Sequence, residues 1–288
     1  MVALLNAILV MILSLQAAVA VPANVSGPWL AARTSSGHPH PSSASDTTGH
    51  RKKPKPTASP DTARVHLGPA GGGTDAFVAY PAGTGAAASL VVVHEWWGLN
   101  NQIRELARRL AKQGYVAIVP DLYHGKVADD PESAHVLMRG VDEDEAVSEL
   151  SAAAAWLRSQ PRTAKRNVGV MGFCMGGRLA ELLAFQDSAL SAAVIFYGSP
   201  ESRPERVARL HAALIGHYGA EDQGIDTSRV AAFRELLNNA GKHAEIYVYS
   251  GAGHAFMNQE QPSYRPDAAQ LAWARTLAFL QKYLKGMS

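Results

Sequence analysis

The chain has 288 residues, of which 47% are hydrophobic and 18% are charged, and this length and composition suit one globular domain with a substantial core. Its formal net charge is only +2, so no strong basic or acidic field indicates a nucleic-acid partner or an anionic surface. We therefore exclude nucleic-acid binding as the leading interpretation and expect a small-molecule partner.

The first twenty residues are typical of an export signal. Residues 3–19 are almost entirely apolar, and the tripeptide AVA at 18–20 matches the small-residue cleavage pattern, although no Lys or Arg precedes the apolar run. We predict a signal peptide over residues 1–20 and an exported protein, either periplasmic or secreted. The run is also close to the length that spans a bilayer, so a membrane anchor over residues 2–20 is the alternative.

Residues 21–62 are predicted to form a disordered linker that is rich in Ser, Pro and Lys. His38, His40 and His50 fall within this segment. Composition favours a soluble spacer over a metal site for these histidines. The folded domain is predicted to occupy residues 63–288.

Short apolar runs alternate with helical patterns along the predicted domain. Near-continuous apolar strands separated by helices indicate an α/β fold, with a mostly parallel central sheet and helices on both faces. Strands are predicted at residues 76–80, 89–93, 115–120, 167–171, 192–197, 213–218 and 245–249. Helices are predicted at residues 101–113, 177–185, 227–240 and 266–284, and within 131–159.

Cys174 is the only cysteine of the chain, and it lies in the segment GFCMGG at residues 172–177. This spacing is the nucleophile elbow of α/β-hydrolases, with a thiol where most members carry serine. The sharp turn from strand to helix presses the two backbones together, so the flanking positions need glycine. With no second cysteine for a disulfide, we predict that Cys174 is a nucleophile rather than a small buried hydrophobe.

An acid and a histidine follow Cys174 in the order that α/β-hydrolases use. Asp222 comes after the predicted strand at 213–218, and His254 comes after the strand at 245–249. His254 would accept the thiol proton, and Asp222 would orient its imidazole. Glu221 is a rival for the acid, whereas Asp226 is better explained as the N-cap of the helix at 227–240.

The segment after the first apolar strand contributes further candidates. The backbone N–H groups of Trp96 and Met175 are candidates for an oxyanion hole, and Trp97 is a candidate for the wall of the substrate pocket. Glu95 lies at the end of a buried strand, where a carboxylate is costly unless it is paired or protonated. It is either a hydrogen-bonded structural group or a carboxylate placed near the thiol.

Residues 65–285 resemble the dienelactone hydrolase family. The resemblance rests on HEWWGLN at 94–100, PDLY at 120–123, GFCMGG at 172–177, Asp222 and GHAF at 253–256. It implies an α/β-hydrolase fold and a Cys174–Asp222–His254 triad that opens ester or lactone bonds without a metal or organic cofactor. It also implies that Glu95 contacts the resting thiol and helps to deprotonate it.

The substrate-binding side chains differ from those of the best-known family members. Those members carry one arginine after the Asp-Leu-Tyr motif and another four residues after the histidine. This chain has Lys126 near the first position and Asn258 at the second. The candidates for substrate contact are Trp97, Tyr123, Lys126, Tyr197 and Phe256.

We therefore predict a monomeric hydrolase of a small ester or lactone that acts through an acyl-thiol intermediate. The alternatives are a thioesterase, a general carboxylesterase, or a relative of the fold that binds a ligand without catalysis.

Overall fold

The computed structural model describes residues 60–68, 73–163 and 165–286. The predicted signal peptide and most of the predicted linker lie outside the described residues, so export stays a prediction. The linker ends earlier than residue 62, because the first strand already begins at Asp61. No helix among the described residues is both long and apolar enough to cross a membrane.

Eight strands form one sheet in the order β1-β2-β4-β3-β5-β6-β7-β8. Strands β3 to β8 pair in parallel, whereas β1 pairs antiparallel with β2, and β2 pairs antiparallel with β4. The strands are β1 Asp61–His66, β2 Asp75–Tyr80, β3 Ser89–Val93, β4 Val116–Pro120, β5 Val168–Phe173, β6 Ala192–Phe196, β7 Ala213–Gly219 and β8 Ala244–Tyr249. The predicted mostly parallel sheet is confirmed.

Strand β1 is the one strand of this sheet that the sequence analysis missed. It forms an outer edge, and most of its side chains are exposed, so it lacks the apolar run that marks the inner strands.

The described part of the chain contains seven helices, six of which lie between strands and the last of which follows β8. They are α1 Asn101–Lys112, α2 Pro131–Arg139, α3 Glu143–Ser159, α4 Met175–Gln186, α5 Pro204–Val207, α6 Thr227–Asn239 and α7 Pro266–Lys285. The helical segment predicted within 131–159 is two helices, because Gly140 ends α2 and Asp142 caps α3.

The core lies on both faces of the sheet. In β3, for example, Leu90 and Val92 belong to the core cluster that includes residues of α1 and α7, whereas Val91 and Val93 belong to the cluster that includes residues of α3 and α4. Burial on both faces explains why the inner strands are almost continuously apolar. The carboxyl ends of β3, β5, β6, β7 and β8 meet at one edge, and this edge carries the site described next.

Candidate active site

Cys174 occupies a strained turn between β5 and α4. Its backbone has φ 54° and ψ −119°, a conformation that side-chain-bearing residues rarely adopt. Its N–H donates to the carbonyl oxygen of Phe196, 3.0 Å away. A Cβ atom on Gly172 would overlap the carbonyl oxygen of Gly176, so the glycines allow the close approach that the sequence analysis predicted.

The predicted nucleophile, histidine and acid lie in one line of hydrogen bonds. His254 Nε2 is 3.0 Å from Cys174 Sγ, and His254 Nδ1 is 2.7 Å from Asp222 Oδ2. The three side chains follow β5, β8 and β7, whose carboxyl ends lie at the same sheet edge. A proton can therefore move between the thiol and an imidazole that a carboxylate orients.

The other two acidic candidates lie elsewhere. Glu221 is exposed, and Asp226 caps α6. Asp222 is buried, and its second oxygen accepts the backbone N–H groups of Gly224 and Ile225. These bonds hold the carboxylate with its other oxygen directed at the imidazole.

The electrostatics of this line favour a charged imidazole. Burial by itself lowers the pKa of His254, but hydrogen bonds to Asp222 and Cys174 and their negative charges outweigh it and raise that pKa to about 10. Burial opposes ionisation of Asp222, yet its bonds to His254 and to backbone N–H groups hold its pKa below the ordinary value. The site is thus built to hold a proton on His254.

Glu95 is both hydrogen-bonded and close to the reacting groups. Its oxygens accept from the Tyr197 hydroxyl at 3.1 Å and from Asn258 Nδ2 at 2.5 Å. It also lines the same cavity as Cys174 and His254, although the hydrogen bond of the thiol goes to His254. Burial raises the pKa of the Glu95 carboxyl group, and its two hydrogen bonds only partly offset this effect.

Of the two oxyanion-hole candidates, Trp96 lines this cavity and Met175 directly follows Cys174. Met175 is the first residue of α4, where backbone N–H groups have no acceptor within the helix. The carbonyl oxygen of Trp96 accepts the Tyr123 hydroxyl at 3.1 Å, which ties this loop to the loop after β4. The Trp96 ring makes edge contacts with Trp97 at 5.1 Å and with His135 of α2 at 4.8 Å, measured between ring centroids.

A cavity of about 370 Å³ opens above Cys174. Apart from Glu95, Cys174 and His254, its lining is apolar or neutral, and none of the described residues that line it is a Lys or Arg. The lining residues are Glu95, Trp96, Trp97, Met138, Cys174, His254, Ala255, Gln261 and Ser263.

Of the five predicted substrate contacts, Trp97 lines the cavity, and the other four are not among its lining residues. Tyr123 and Tyr197 are buried behind the lining, where their hydroxyls bond to Trp96 and Glu95. Phe256 is fully buried beneath Tyr197.

Lys126 is exposed and is not one of the residues that line the cavity. Its loop pairs with the backbone at Trp97 and Gly98 through an antiparallel bridge between Gly98 and Val127. This backbone pairing fixes the course of the loop and leaves the lysine side chain in solvent.

Sequence reasoning missed five residues of the site. Met138, Ala255, Gln261 and Ser263 line the cavity, and Asn258 bonds to Glu95. Met138 lies in the segment with the weakest pattern, and the two polar residues belong to no motif. For Asn258 the only signal was its spacing of four residues from His254.

The chain is similar to known hydrolases over most of the domain. Residues 74–284 match the dienelactone hydrolase family. A protein of Methylorubrum extorquens, provisionally assigned as a carboxymethylenebutenolidase, is 33% identical over 222 residues, which cover 72% of this chain and 76% of that protein. A protein of a Bradyrhizobium species, provisionally assigned as a 2-oxo-3-(5-oxofuran-2-ylidene)propanoate lactonase, is 32% identical and covers 77% of this chain and 94% of its own length.

A solved structure shows the same architecture. The crystal structure of a provisionally assigned dienelactone hydrolase from Klebsiella pneumoniae superposes with a TM-score of 0.72 at 30% identity, covering 78% of this chain and all of that one. Together with the eight-stranded sheet, these similarities confirm the fold and the family that the motifs indicated. The chain belongs to the dienelactone hydrolase family and is a carboxylic ester hydrolase with an α/β-hydrolase fold.

Proposed function

We propose that this protein hydrolyses an uncharged ester or lactone, with Cys174 as the nucleophile, His254 as the general base and acid, and Asp222 as the residue that orients His254. The observation that carries the proposal is the line of contacts from Cys174 Sγ to His254 Nε2 at 3.0 Å and from His254 Nδ1 to Asp222 Oδ2 at 2.7 Å. Both distances suit direct proton transfer and orientation of the imidazole.

In the acylation step, His254 takes the thiol proton and the thiolate attacks the substrate carbonyl carbon. The N–H groups of Met175 and Trp96 stabilise the oxyanion that forms. Collapse of this tetrahedral intermediate breaks the C–O bond, and His254 returns the proton to the leaving oxygen. The product of the step is a thioester on Cys174, and in a lactone the leaving hydroxyl stays attached to the acyl group.

In the deacylation step, water replaces the thiol as the group that His254 deprotonates. The resulting hydroxide attacks the thioester, a second oxyanion forms in the same place, and the thiolate leaves and recovers the proton from His254. Asp222 stabilises the imidazolium in both steps. The raised pKa of His254, about 10, supports a stable imidazolium in both steps.

The charge of the cavity supports an uncharged substrate. The names of the two relatives specify substrates with a carboxylate-bearing group, a carboxymethylene-butenolide and a propanoate lactone. The described residues that line this cavity include no cationic Lys or Arg, and Glu95 is an acidic group in its wall. The charge of His254 is directed at Asp222 and Cys174, so a substrate carboxylate in the cavity would find no further cationic partner.

The test is steady-state hydrolysis of a substrate panel by the wild type and by Cys174→Ala in reducing buffer. The panel contains p-nitrophenyl acetate and butyrate, an acyl thioester, a neutral lactone and a dienelactone carboxylate. We expect the variant to lose at least about 10³-fold in kcat/KM, because removal of the nucleophile of a triad removes most of the catalysis. Unchanged circular dichroism and Tm serve as the folding control.

We expect the kcat/KM of the wild type to be about tenfold or more higher for the neutral substrates than for the dienelactone carboxylate. A tenfold ratio corresponds to about 1.4 kcal/mol, and placing an unpaired charge in the cavity costs more than that. A variant that hydrolyses at the wild-type rate would contradict the mechanism. A wild type that binds panel members without turning any over would favour the alternative of a non-catalytic ligand-binding relative.

A further inference from the structure

Asn258 is a buried amide in the loop after β8 that contacts no reacting atom of the triad. Only 1% of its surface is exposed. Its Oδ1 accepts the backbone N–H of Glu260 at 3.0 Å, and its Nδ2 is therefore the atom that faces Glu95 Oε2, 2.5 Å away. The backbone thus fixes the orientation of the amide, and the amide donates to the carboxyl group.

Tyr197 holds the other oxygen of the same carboxyl group. Its hydroxyl lies 3.1 Å from Glu95 Oε1, and its ring packs against His254 and Phe256. Its backbone has φ 38° and donates to the carbonyl oxygen of His217 at 2.8 Å. Each oxygen of Glu95 therefore has one neutral donor, and each donor is fixed by other parts of the fold.

Neither donor neutralises the charge of Glu95. An amide and a phenol supply hydrogen bonds but no formal positive charge. The positive charge that can act on Glu95 is that of His254, and the negative charge of Glu260 opposes it. The titratable groups that face Glu95 from the surrounding loops are Tyr197, Cys174, His254 and Glu260.

We propose that Asn258 is a positioning residue, which holds the Glu95 carboxyl group in the cavity wall beside Cys174 and thereby sets how readily that group carries negative charge. With a neutral partner, Glu95 moves between a carboxylic acid and a carboxylate according to pH, and the carboxylate repels anions that approach Cys174. This inference rests on the proposed function only where it concerns turnover.

The test uses alkylation of Cys174, which is the only thiol of the chain. The rate of Cys174 alkylation is measured from pH 4 to 9 with neutral iodoacetamide and with anionic iodoacetate. The rate with iodoacetamide is then divided by the rate with iodoacetate at each pH. The ratio cancels the fraction of thiolate, which affects both reagents equally. We expect the preference for iodoacetamide to rise through an inflection as Glu95 ionises, and we expect Glu95→Gln to remove that inflection.

Two substitutions of Asn258 then test its role. Asn258→Leu removes the donor at similar volume, and Asn258→Asp keeps an acceptor for the Glu260 N–H but places a like charge beside Glu95. We expect both to move the inflection upward by about one pH unit or more, the effect of losing one hydrogen bond to a charged group. Either variant that keeps the wild-type circular dichroism is sufficient for the test.

Gln261→Leu is the matched control, because it removes an amide that lines the same cavity without contacting Glu95. Its inflection is expected to stay in place. The proposal is overturned if folded Asn258 variants keep the wild-type inflection, or if Glu95→Gln retains it. Glu95→Gln also shows which residue causes the inflection, because His254 still titrates in that variant whereas residue 95 does not.

A kinetic cycle supplies the second readout. We expect Asn258→Leu to lower kcat/KM about tenfold in the wild type and less than about twofold in the Glu95→Gln background, since coupled residues are not additive. Equal losses in both backgrounds would mean a merely structural role. Absence of all hydrolysis would contradict the proposed function alone, because the alkylation measurement does not need turnover.

Discussion

His254 contacts both other residues of the proposed triad, and the proposed mechanism depends on its protonation. It contacts Cys174 on one ring nitrogen and Asp222 on the other. Because Asp222 is buried and bonded to backbone N–H groups, its carboxylate stays ionised and ready to stabilise a cationic imidazole. The same contacts direct Nδ1 at Asp222 and Nε2 at Cys174, where the proposed mechanism has the proton of the thiol transferred.

Asp222→Asn should therefore remove the main support of the charged imidazole. The pKa of His254, raised to about 10 in the wild type, is expected to fall toward its ordinary value, and kcat/KM is expected to fall by about 10²- to 10⁴-fold. Titration of the His254 ring by NMR measures the first effect, and steady-state kinetics measure the second. Glu221→Gln, which changes the exposed neighbouring acid, should stay within about twofold of the wild type.

At the scale of elements, a cluster of charges around the buried Glu201 fastens the loop after β6 to helix α4, which follows Cys174. Glu201 is buried in this loop, and its carboxylate accepts from Arg178 of α4 at 3.2 Å and from Arg203 at 2.9 Å and 3.1 Å. Arg206 lies 3.4 Å away. Since Tyr197 begins this loop, the cluster supports the segment that holds Glu95.

Burial opposes the ionisation of Glu201, but its hydrogen bonds to Arg203 and to backbone N–H groups, and the charge of Arg178, lower its pKa to about 2. A carboxyl group with a depressed folded-state pKa contributes stability above its ordinary pKa of about 4.5, and this contribution is lost as the pH falls toward 2.

Glu201→Gln should thus destabilise the protein at neutral pH by about 2 kcal/mol, because it removes the buried carboxylate that accepts from Arg178 and Arg203, although Arg203 is partly exposed and Arg178 keeps Glu181. The corresponding loss in Tm is about 4–8 °C. The difference between variant and wild type should shrink as the pH falls from about 5 to about 2. Urea denaturation at several pH values in this range measures the difference in the free energy of unfolding. Glu205→Gln, on the exposed side of α5, is the control. A pH-independent difference would contradict the assignment.

At the scale of the whole molecule, the sheet is what makes the site predictable from sequence. Residues that follow different parallel strands converge at one edge, so Cys174, Asp222 and His254 could be grouped from the sequence alone. Strand β1 could not be found in this way, because an exposed edge strand carries no apolar run. Strand β1 also pairs antiparallel with β2, and such a pair needs no intervening helix whose pattern would reveal the strand in the sequence.

The cavity wall was less predictable than the triad, for a physical reason. Met138 reaches the cavity only because α2 folds over Trp96, and Asn258 reaches Glu95 only because its amide is held by the backbone of Glu260. Such contacts depend on the tertiary path of loops, which have no hydrophobic period. Lys126 is the opposite case. Its position after the Asp-Leu-Tyr motif suggested a substrate contact, but it does not line the cavity.

Intact-mass spectrometry of the acid-quenched reaction with p-nitrophenyl butyrate tests the nucleophilic role of Cys174 most directly. The mechanism predicts that wild-type protein gains the mass of one butyryl group within the first turnover, that the peptide containing Cys174 carries it, and that Cys174→Ala gains none. Hydrolysis by the wild type without any acylated Cys174, or with the acyl group on another residue, would contradict it.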